Sequence, residues 1–290
     1  MKNKRTMTAA TAIATASSLL MLPGSTAQAS AARQAQVCNA IVTGIDTQQR
    51  VRQLEVDSST ITTDRASSPL KFRGYQQGIV AARETDAGFV IFTRVVTRDG
   101  RPRTLEIRTK DADTERLTVD ATSFAMDDFE PVLFTASFSG PEAYAFGGGK
   151  LARVTTYRKS NGGGLYFDDR VVLKSGLRLK SIAYVGRPKI NGVATDIMFA
   201  TTTRGALLHL RVPVKNPRNL RIKVVKRTGF RRYSALATAS CGNGFGLLAV
   251  DKGQLAHMFS VGHVLNPSAG DVRKQYRVAA DFNWPLLALV

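Results

Sequence analysis

The chain has 290 residues, 43% of them hydrophobic and 22% charged, with 41 basic against 22 acidic side chains and a formal net charge of +19. A chain of this length buries a full-sized core without staples, which excludes a miniprotein held together by metals or disulfides. The positive excess points to polyanionic partners, but no recognised nucleic-acid motif accompanies it, so nucleic acid is disfavoured as the partner.

Lys2, Lys4 and Arg5 form a short positive head, and no charged residue follows from Thr6 to Ala32. The apolar run through Leu19, Leu20, Met21 and Leu22 ends at Pro23-Gly24, and Ala27-Gln28-Ala29 supplies a small-x-small site. This is the pattern of a secretory signal peptide over residues 1–29, with cleavage expected between Ala29 and Ser30. Its apolar core is shorter than the ~20 residues needed to span a bilayer, so no transmembrane segment is expected in the mature chain. Residues 30–290 read as a single secreted, extracellular domain, expected to be a monomer. In an exported chain the two cysteines, Cys38 and Cys241, predict one disulfide.

Taken in order, the mature chain offers a series of hairpins. Ala40-Ile41-Val42, a turn near Gly44 to Gln48 and RVRQLEV at 50–56 form the first. Phe89 to Thr93, a turn at Asp99-Gly100 and RPRTLEI at 101–107 form the second, its return strand matching 50–56 at a shift of 51. Ala143 to Phe146 leads to Gly147-Gly148-Gly149 and back from Lys150 to Val154. That glycine run lacks P-loop spacing and reads as a hairpin tip.

The next stretch is stated twice. VVLKSGLRLKS at 171–181 aligns with VVKRTGFRRYS at 224–234, a shift of 53, and GALLH at 205–209 aligns with GQLAH at 253–257, a shift of 48. Turns near 46, 100, 149, 205 and 253 are separated by 54, 49, 56 and 48 residues. Long amphipathic helical periods are lacking, while glycine-containing turns such as Asn161-Gly162, Asn191-Gly192 and Asn243-Gly244 recur,. A period near fifty residues with several short strands in each copy predicts an all-β propeller of five blades, with a six-bladed propeller and a β-sandwich as the alternatives. Cys38 begins the first unit and Cys241 lies in the last. Those two units are neighbours only in a closed ring, so the disulfide is expected to clasp it. The tail after Val261, from Val278 to Trp284, is expected to complete a blade begun by the N-terminal strand, with Trp284 in closure packing.

The order Gly-Φ-x-x-x-Ser, apolar strand, x-Gly-x-Leu and closing strand, clearest over 176–212 and 229–261, resembles the blade of tachylectin-like five-bladed propellers. Those units carry a Gly-Trp start and an aromatic strand after the Gly-x-Leu turn. Here Leu177 and Phe230 stand at the Trp position, and His209-Leu210 and His257-Met258 stand at the aromatic pair. The resemblance implies a secreted, multivalent carbohydrate-binding protein.

Loss of the leader leaves 38 basic and 22 acidic residues. From 31 to 169 the two signs balance at 18 each, whereas 170–250 holds 16 basic residues and the single acid Asp196. Arg211, Lys215, Arg218, Arg221, Lys223, Lys226, Arg227, Arg231 and Arg232 follow one another without an acid. They are the candidate binding residues for an acidic glycan or anionic cell-wall polymer, and arginine among them suits bidentate contact with phosphate or carboxylate. The bland alternative is a solvated face.

Catalytic options are thinner. His209 and His257 fall at equivalent repeat positions, where the preceding unit has Arg153, and they read as a structural slot rather than a metal pair. No metal site or cofactor is expected. Asp127-Asp128-x-Glu130 and Asp168-Asp169 are the carboxylates a glycoside hydrolase would need converging. Adjacent aspartates on a strand point to opposite faces, so these read as turn acids. The reading is a non-catalytic, lectin-like binding protein; the alternatives are a propeller glycoside hydrolase and a platform for a protein partner.

Overall fold

The computed structural model describes residues 37–46, 48–69, 74–85, 88–97, 102–109, 116–122, 133–136, 142–158, 165–242, 244–251, 255–278 and 286–289. The expected signal segment, residues 1–29, lies outside them, as do Trp284 and the acids Asp127, Asp128 and Glu130. Among the described residues no helix is long and apolar enough to cross a membrane.

Nearly all of the described chain is strand. Strands β1 (Asn39–Ile45), β2 (Arg50–Asp57) and β3 (Thr60–Pro69) run antiparallel in sequence order. A second meander comprises β4 (Gly74–Thr85), β5 (Gly88–Thr97), β6 (Pro102–Thr109) and β7 (Arg116–Thr122). A third comprises β8 (Leu133–Ala136), β9 (Glu142–Gly147), β10 (Lys150–Arg158) and β11 (Leu165–Ser175). The fourth contains β12 (Leu179–Gly186), the two-residue β13 (Lys189–Ile190), β14 (Val193–Thr202), β15 (Leu207–Pro213) and β16 (Arg221–Lys226). The fifth contains β17 (Tyr233–Cys241), β18 (Gly244–Asp251), β19 (Leu255–Val261) and β20 (Val272–Val278). The last strand, β21 (Leu286–Leu289), returns to pair with β1, so the first unit also has four strands, ordered β21-β1-β2-β3.

The expected turns near 46, 149 and 205 fall between β1 and β2, β9 and β10, and β14 and β15; those near 100 and 253 lie outside the described residues. The closing strand is Leu286–Leu289, further along the tail than expected, while Val278 belongs to the outer strand of the fifth unit. Its pairing partners explain the shift: Leu286 to Leu289 lie opposite Ile45 to Val42.

Strands that begin the units lie against one another in a cycle: β21 against β4, β4 against β8, β8 against β12, β12 against β17, and β17 against β21. A single antiparallel bridge, Asn39 opposite Ser240, and a two-residue parallel contact between β3 and β7 join the first, second and fifth units into one hydrogen-bonded sheet.

The doubled sequence marks the passage from one unit to the next. Residues 171–175 end β11 and 224–226 end β16; each is followed by a positive-φ glycine, Gly176 (φ 76) or Gly229 (φ 99), before the next unit begins. The residue after each glycine then donates its backbone N–H to the turn glycine of the unit just completed: Leu177 to Gly149 O at 2.9 Å and Phe230 to Gly205 O at 3.0 Å. Gly205 cannot carry a side chain there, because its φ is 89 and a Cβ would lie 2.6 Å from Arg231 N,.

Apolar runs in β14, β17 and β18 form strands covered on both faces. Phe199, Leu207, Phe230, Tyr233, Leu247, Phe259 and Val261 pack between the fourth and fifth units. Tyr144, Phe146, Leu151, Ile182, Met198 and Leu210 pack between the third and fourth, and Val42, Leu54, Val56, Ala237, Leu248, Val250 and Met258 between the first and fifth. Each such large side chain contributes about 1.5–3 kcal/mol by leaving water. β16 and β20 end their sheets and carry Arg221, Lys223 and Lys226 or Arg273, Lys274 and Arg277, charges that discourage edge-to-edge pairing,.

The expected disulfide is present. Cys38, just ahead of β1, is bonded to Cys241 at the end of β17, across 203 positions of sequence. Gly246 faces the bridge, where a Cβ would come within 2.4 Å of the Cys241 sulfur.

Candidate functional site

At one end of the fourth sheet the chain makes two walls of a cavity of about 390 Å³. One wall is the Asn191-Gly192 hairpin between β13 and β14. Both residues have positive φ, 49 and 79, the backbone that a tight two-residue turn requires and that Asn-Gly supplies,. The other wall runs from the end of β15 through the 3-10 turn Pro217–Asn219 to the start of β16. Val214 N donates to Ala194 O and Thr195 N to Pro188 O, both at 2.9 Å, so the walls share one sheet's hydrogen bonding.

Arg211, Lys215 and Arg221 line this cavity together with the amides Asn191, Asn216 and Asn219 and the apolar Ile190, Val193 and Pro213. No carboxylate lines it. Arg211 sits opposite Arg221 in the β15–β16 ladder, and its guanidinium donates to Leu265 O of the fifth unit. Among the described residues neither Lys215 nor Arg221 forms an ion pair. Asn216 caps the 3-10 turn by position only, with no side-chain capping bond.

The other candidate cations are distributed differently. Lys223 donates to Asn266 Oδ1 at 2.9 Å. Lys226 pairs with Leu207 at the far end of β16, and Arg227, Arg231 and Arg232 follow in the passage to β17. Arg232 is ion-paired with Asp251 at 2.6 Å, and the Arg231 carbonyl accepts from Lys180 Nζ at 3.1 Å. Arg218 lies in the 3-10 turn and is exposed. The single run in sequence is therefore split between the two ends of one sheet, and three of its residues at one end, Arg211, Lys215 and Arg221, surround a cavity.

Asp196, the lone acid among the 16 basic residues of 170–250, is fully buried. Tyr144 OH and Tyr184 OH donate to it at 2.5 and 2.8 Å, and Arg187 binds both its oxygens at 2.6 and 3.0 Å. Arg187 also reaches Glu142 at 2.7 Å, which ties β9 of the third unit to β12 and β14 of the fourth. Burial opposes the charge on Arg187, but the two carboxylates outweigh it and hold its pKa above the ordinary value. Burial, reinforced by Asp196, raises that of Tyr144. This acid is a structural clamp whose charge never reaches the surface. Its place as the only acid in an otherwise basic stretch, on an apolar strand, is the signal that sequence reading passed over.

The histidines occupy a common slot. Arg153 donates to Val214 O at 2.8 Å, in the segment after the third strand of the next unit; His209, one unit on, faces the Val264 backbone in the corresponding segment. Burial first, then Arg211, pushes the His209 pKa down to about 4. His257 is buried against Tyr233, with ring centroids 5.6 Å apart, and its pKa is likewise lowered by burial. Among the described residues, Nε2 of His209 and Nδ1 of His257 find no hydrogen-bond partner. Among the described residues no group of three His, Cys, Asp or Glu side chains could hold a metal ion. Asp168 and Asp169 belong to β11, and their side chains lie outside the described set.

A larger cavity of about 690 Å³ opens where β1, β2 and β3 meet β17 and β18. Asn39, Glu55, Asp57, Thr62, Ser240 and Phe245 contribute to its lining. Its acids are engaged: Glu55 pairs with Arg65 at 2.9 Å, and Asp57 accepts from Ser58 at 3.1 Å and from the Asn39 amide at 3.0 Å.

No known family model matches the chain, and no curated protein matches it. Among solved structures it is similar to the SapL1 lectin in complex with alpha methyl fucoside, at 10% identity and a TM-score of 0.45, covering 80% of this chain and 75% of that one. It is also similar to the BP39L lectin from Burkholderia pseudomallei, at 15% identity and a TM-score of 0.44 over 82% and 66% of the two chains. AofleA from Arthrobotrys oligospora follows at 6% identity, a TM-score of 0.44 and coverage of 82% and 68%. Likeness at this level decides neither the blade number nor the ligand of this chain.

Proposed function

We propose that this is an exported, non-catalytic binding protein, a closed five-bladed propeller that engages an anionic glycan or cell-surface polymer through the cations of its fourth unit. Five meanders of four or five strands whose leading strands touch in a cycle favour the closed ring. β21 completes the first unit and Cys38–Cys241 binds that unit to the fifth. A disulfide also suits an oxidising compartment outside the cytoplasm.

One observation carries the ligand class: Arg211, Lys215 and Arg221 surround a cavity without a carboxylate, while Asp196, the acid nearest in sequence, is withdrawn into the core. Their field is left uncompensated at the surface and is attractive to anions.

The test is pull-down of residues 30–290 on purified cell wall with and without its anionic polymers, from low to high salt. Binding that needs the polymer and falls steeply with salt is the expected result, because polymer counterions are released on binding. Salt-insensitive binding competed by a simple amino sugar would instead move the ligand to the cavity between the first and fifth units, and hydrolysis of the glycan would make the protein an enzyme.

A further inference from the structure

We infer that the cavity between the Asn191-Gly192 hairpin and the β15–β16 segment receives a single hydroxylated unit bearing one anionic group, a carboxylate or a phosphate. The inference rests on the anionic-ligand reading and narrows it from a charged unit to one site.

Size comes first. At about 390 Å³ the cavity lies near the small end of the ~300–1,000 Å³ typical of ligand pockets,. That suits one sugar ring or a short polyol phosphate rather than a length of polymer. The lining then divides into three chemistries. Arg211, Lys215 and Arg221 supply only donors and positive charge, matched to an anionic oxygen; the arginine forks can grip it bidentately,. Asn191, Asn216 and Asn219 each offer donors and an acceptor, the combination that hydroxyl groups use,. Ile190, Val193 and Pro213 form an apolar patch, and Val193 is 43% exposed in the absence of any cover.

An edge strand made only for solubility needs the charge but neither the amides nor the apolar patch. A surface that merely collects polyanions needs no concavity. Here the cations converge on a shared space, and the walls are fixed by the positive-φ hairpin and by the Val214–Ala194 and Thr195–Pro188 hydrogen bonds. Arg211 is further oriented by its bond to the Leu265 carbonyl. An anion entering this space relieves the mutual repulsion of three like charges, and the rest of the ligand selects against a bare ion.

The experiment is titration of residues 30–290 with glucuronic acid and with glycerol 3-phosphate, using glucose, glycerol and inorganic phosphate as controls. Binding is followed by ligand-observed NMR and calorimetry. At least one of the two acids is expected to bind about tenfold or more tighter than its neutral counterpart and tighter than inorganic phosphate; which one does separates a carboxylated from a phosphorylated source. Val193→Trp, which fills the cavity without changing charge, and Arg221→Gln should each weaken that binding about tenfold or more. Lys274→Ala with Arg277→Ala, exposed on β20 of the fifth unit, should leave it unchanged. Thermal melting checks that each variant is folded, and Arg221→Gln retains the test if Val193→Trp is not. If polymer pull-down persists but neither acid binds, or binding ignores both cavity variants, the cavity assignment is overturned while the anionic reading stands. Inorganic phosphate binding as tightly as the acids would overturn the hydroxylated unit. Loss of polymer binding as well as small-acid binding would remove both readings.

Discussion

Three seams between neighbouring units of this chain are closed by three different chemistries. Between the third and fourth units lies the buried group of Glu142, Tyr144, Tyr184, Arg187 and Asp196. Between the fourth and fifth lie aromatic rings, with Phe230 5.2 Å from Phe259 and Phe199 5.9 Å from Phe245. Between the fifth and first a covalent bond is added to the apolar packing. Repetition fixes the strands of each unit but leaves the contact between units free to vary, because a seam asks only that its polar groups be paired and its space be filled. The covalent bond is added at the seam where β21 returns from the fifth unit to the first.

The sharpest way to break this comparison is to unpair the polar seam. Asp196→Ala removes the carboxylate shared by Arg187, Tyr144 and Tyr184, and should cost about 3–5 kcal/mol in denaturant unfolding. The same substitution made together with Arg187→Leu and Glu142→Gln should cost less than Asp196→Ala alone, since no charge of the group is left without its partner; an equal or larger loss would show that packing rather than charge closes the seam.

The covalent seam comes next. Cys38→Ser with Cys241→Ser should lower stability by about 2–5 kcal/mol, because the bridge removes freedom from a long loop of the unfolded chain. Unfolding of the variant alongside the reduced and oxidised parent checks this, and the parent in reductant should behave as the variant does.

A smaller effect comes from His209 beside the aromatic seam. Its folded pKa, about 4, lies below its ordinary 6.5. The unfolded chain therefore binds more protons between those values, and stability falls as pH drops from about 6.5 toward about 4, by about 2 kcal/mol at pH 5. His209→Gln keeps a donor for the Val264 backbone and should flatten that part of the pH profile. A profile unchanged by the substitution would assign the acid sensitivity elsewhere.

How much could be read beforehand differs from seam to seam. The disulfide was legible because two cysteines allow one pairing. The turn positions were legible because glycine is needed where φ is positive, and Gly149, Gly176, Gly205 and Gly229 mark such points in the described chain. Asp196 was legible only in part: its isolation on an apolar strand marks it out, but its partner Tyr144 lies 52 positions away, so the clamp it forms is not visible in local spacing. The cations were legible as a run but not as a site, since residues adjacent in sequence were carried to opposite ends of β16.

Residue type and short-range spacing were enough to set the strand-turn rhythm, the repeat near fifty residues, the disulfide and the location of the basic excess. Tertiary structure alone decided that Leu286–Leu289 completes the first unit, that Asp196 is spent inside the fold, and that Arg211, Lys215 and Arg221 meet Asn191 and Val193 around one cavity. Those outcomes depend on which sheet edges and which loops meet in space, and hydrophobic burial, which drives the meeting, carries no direction of its own.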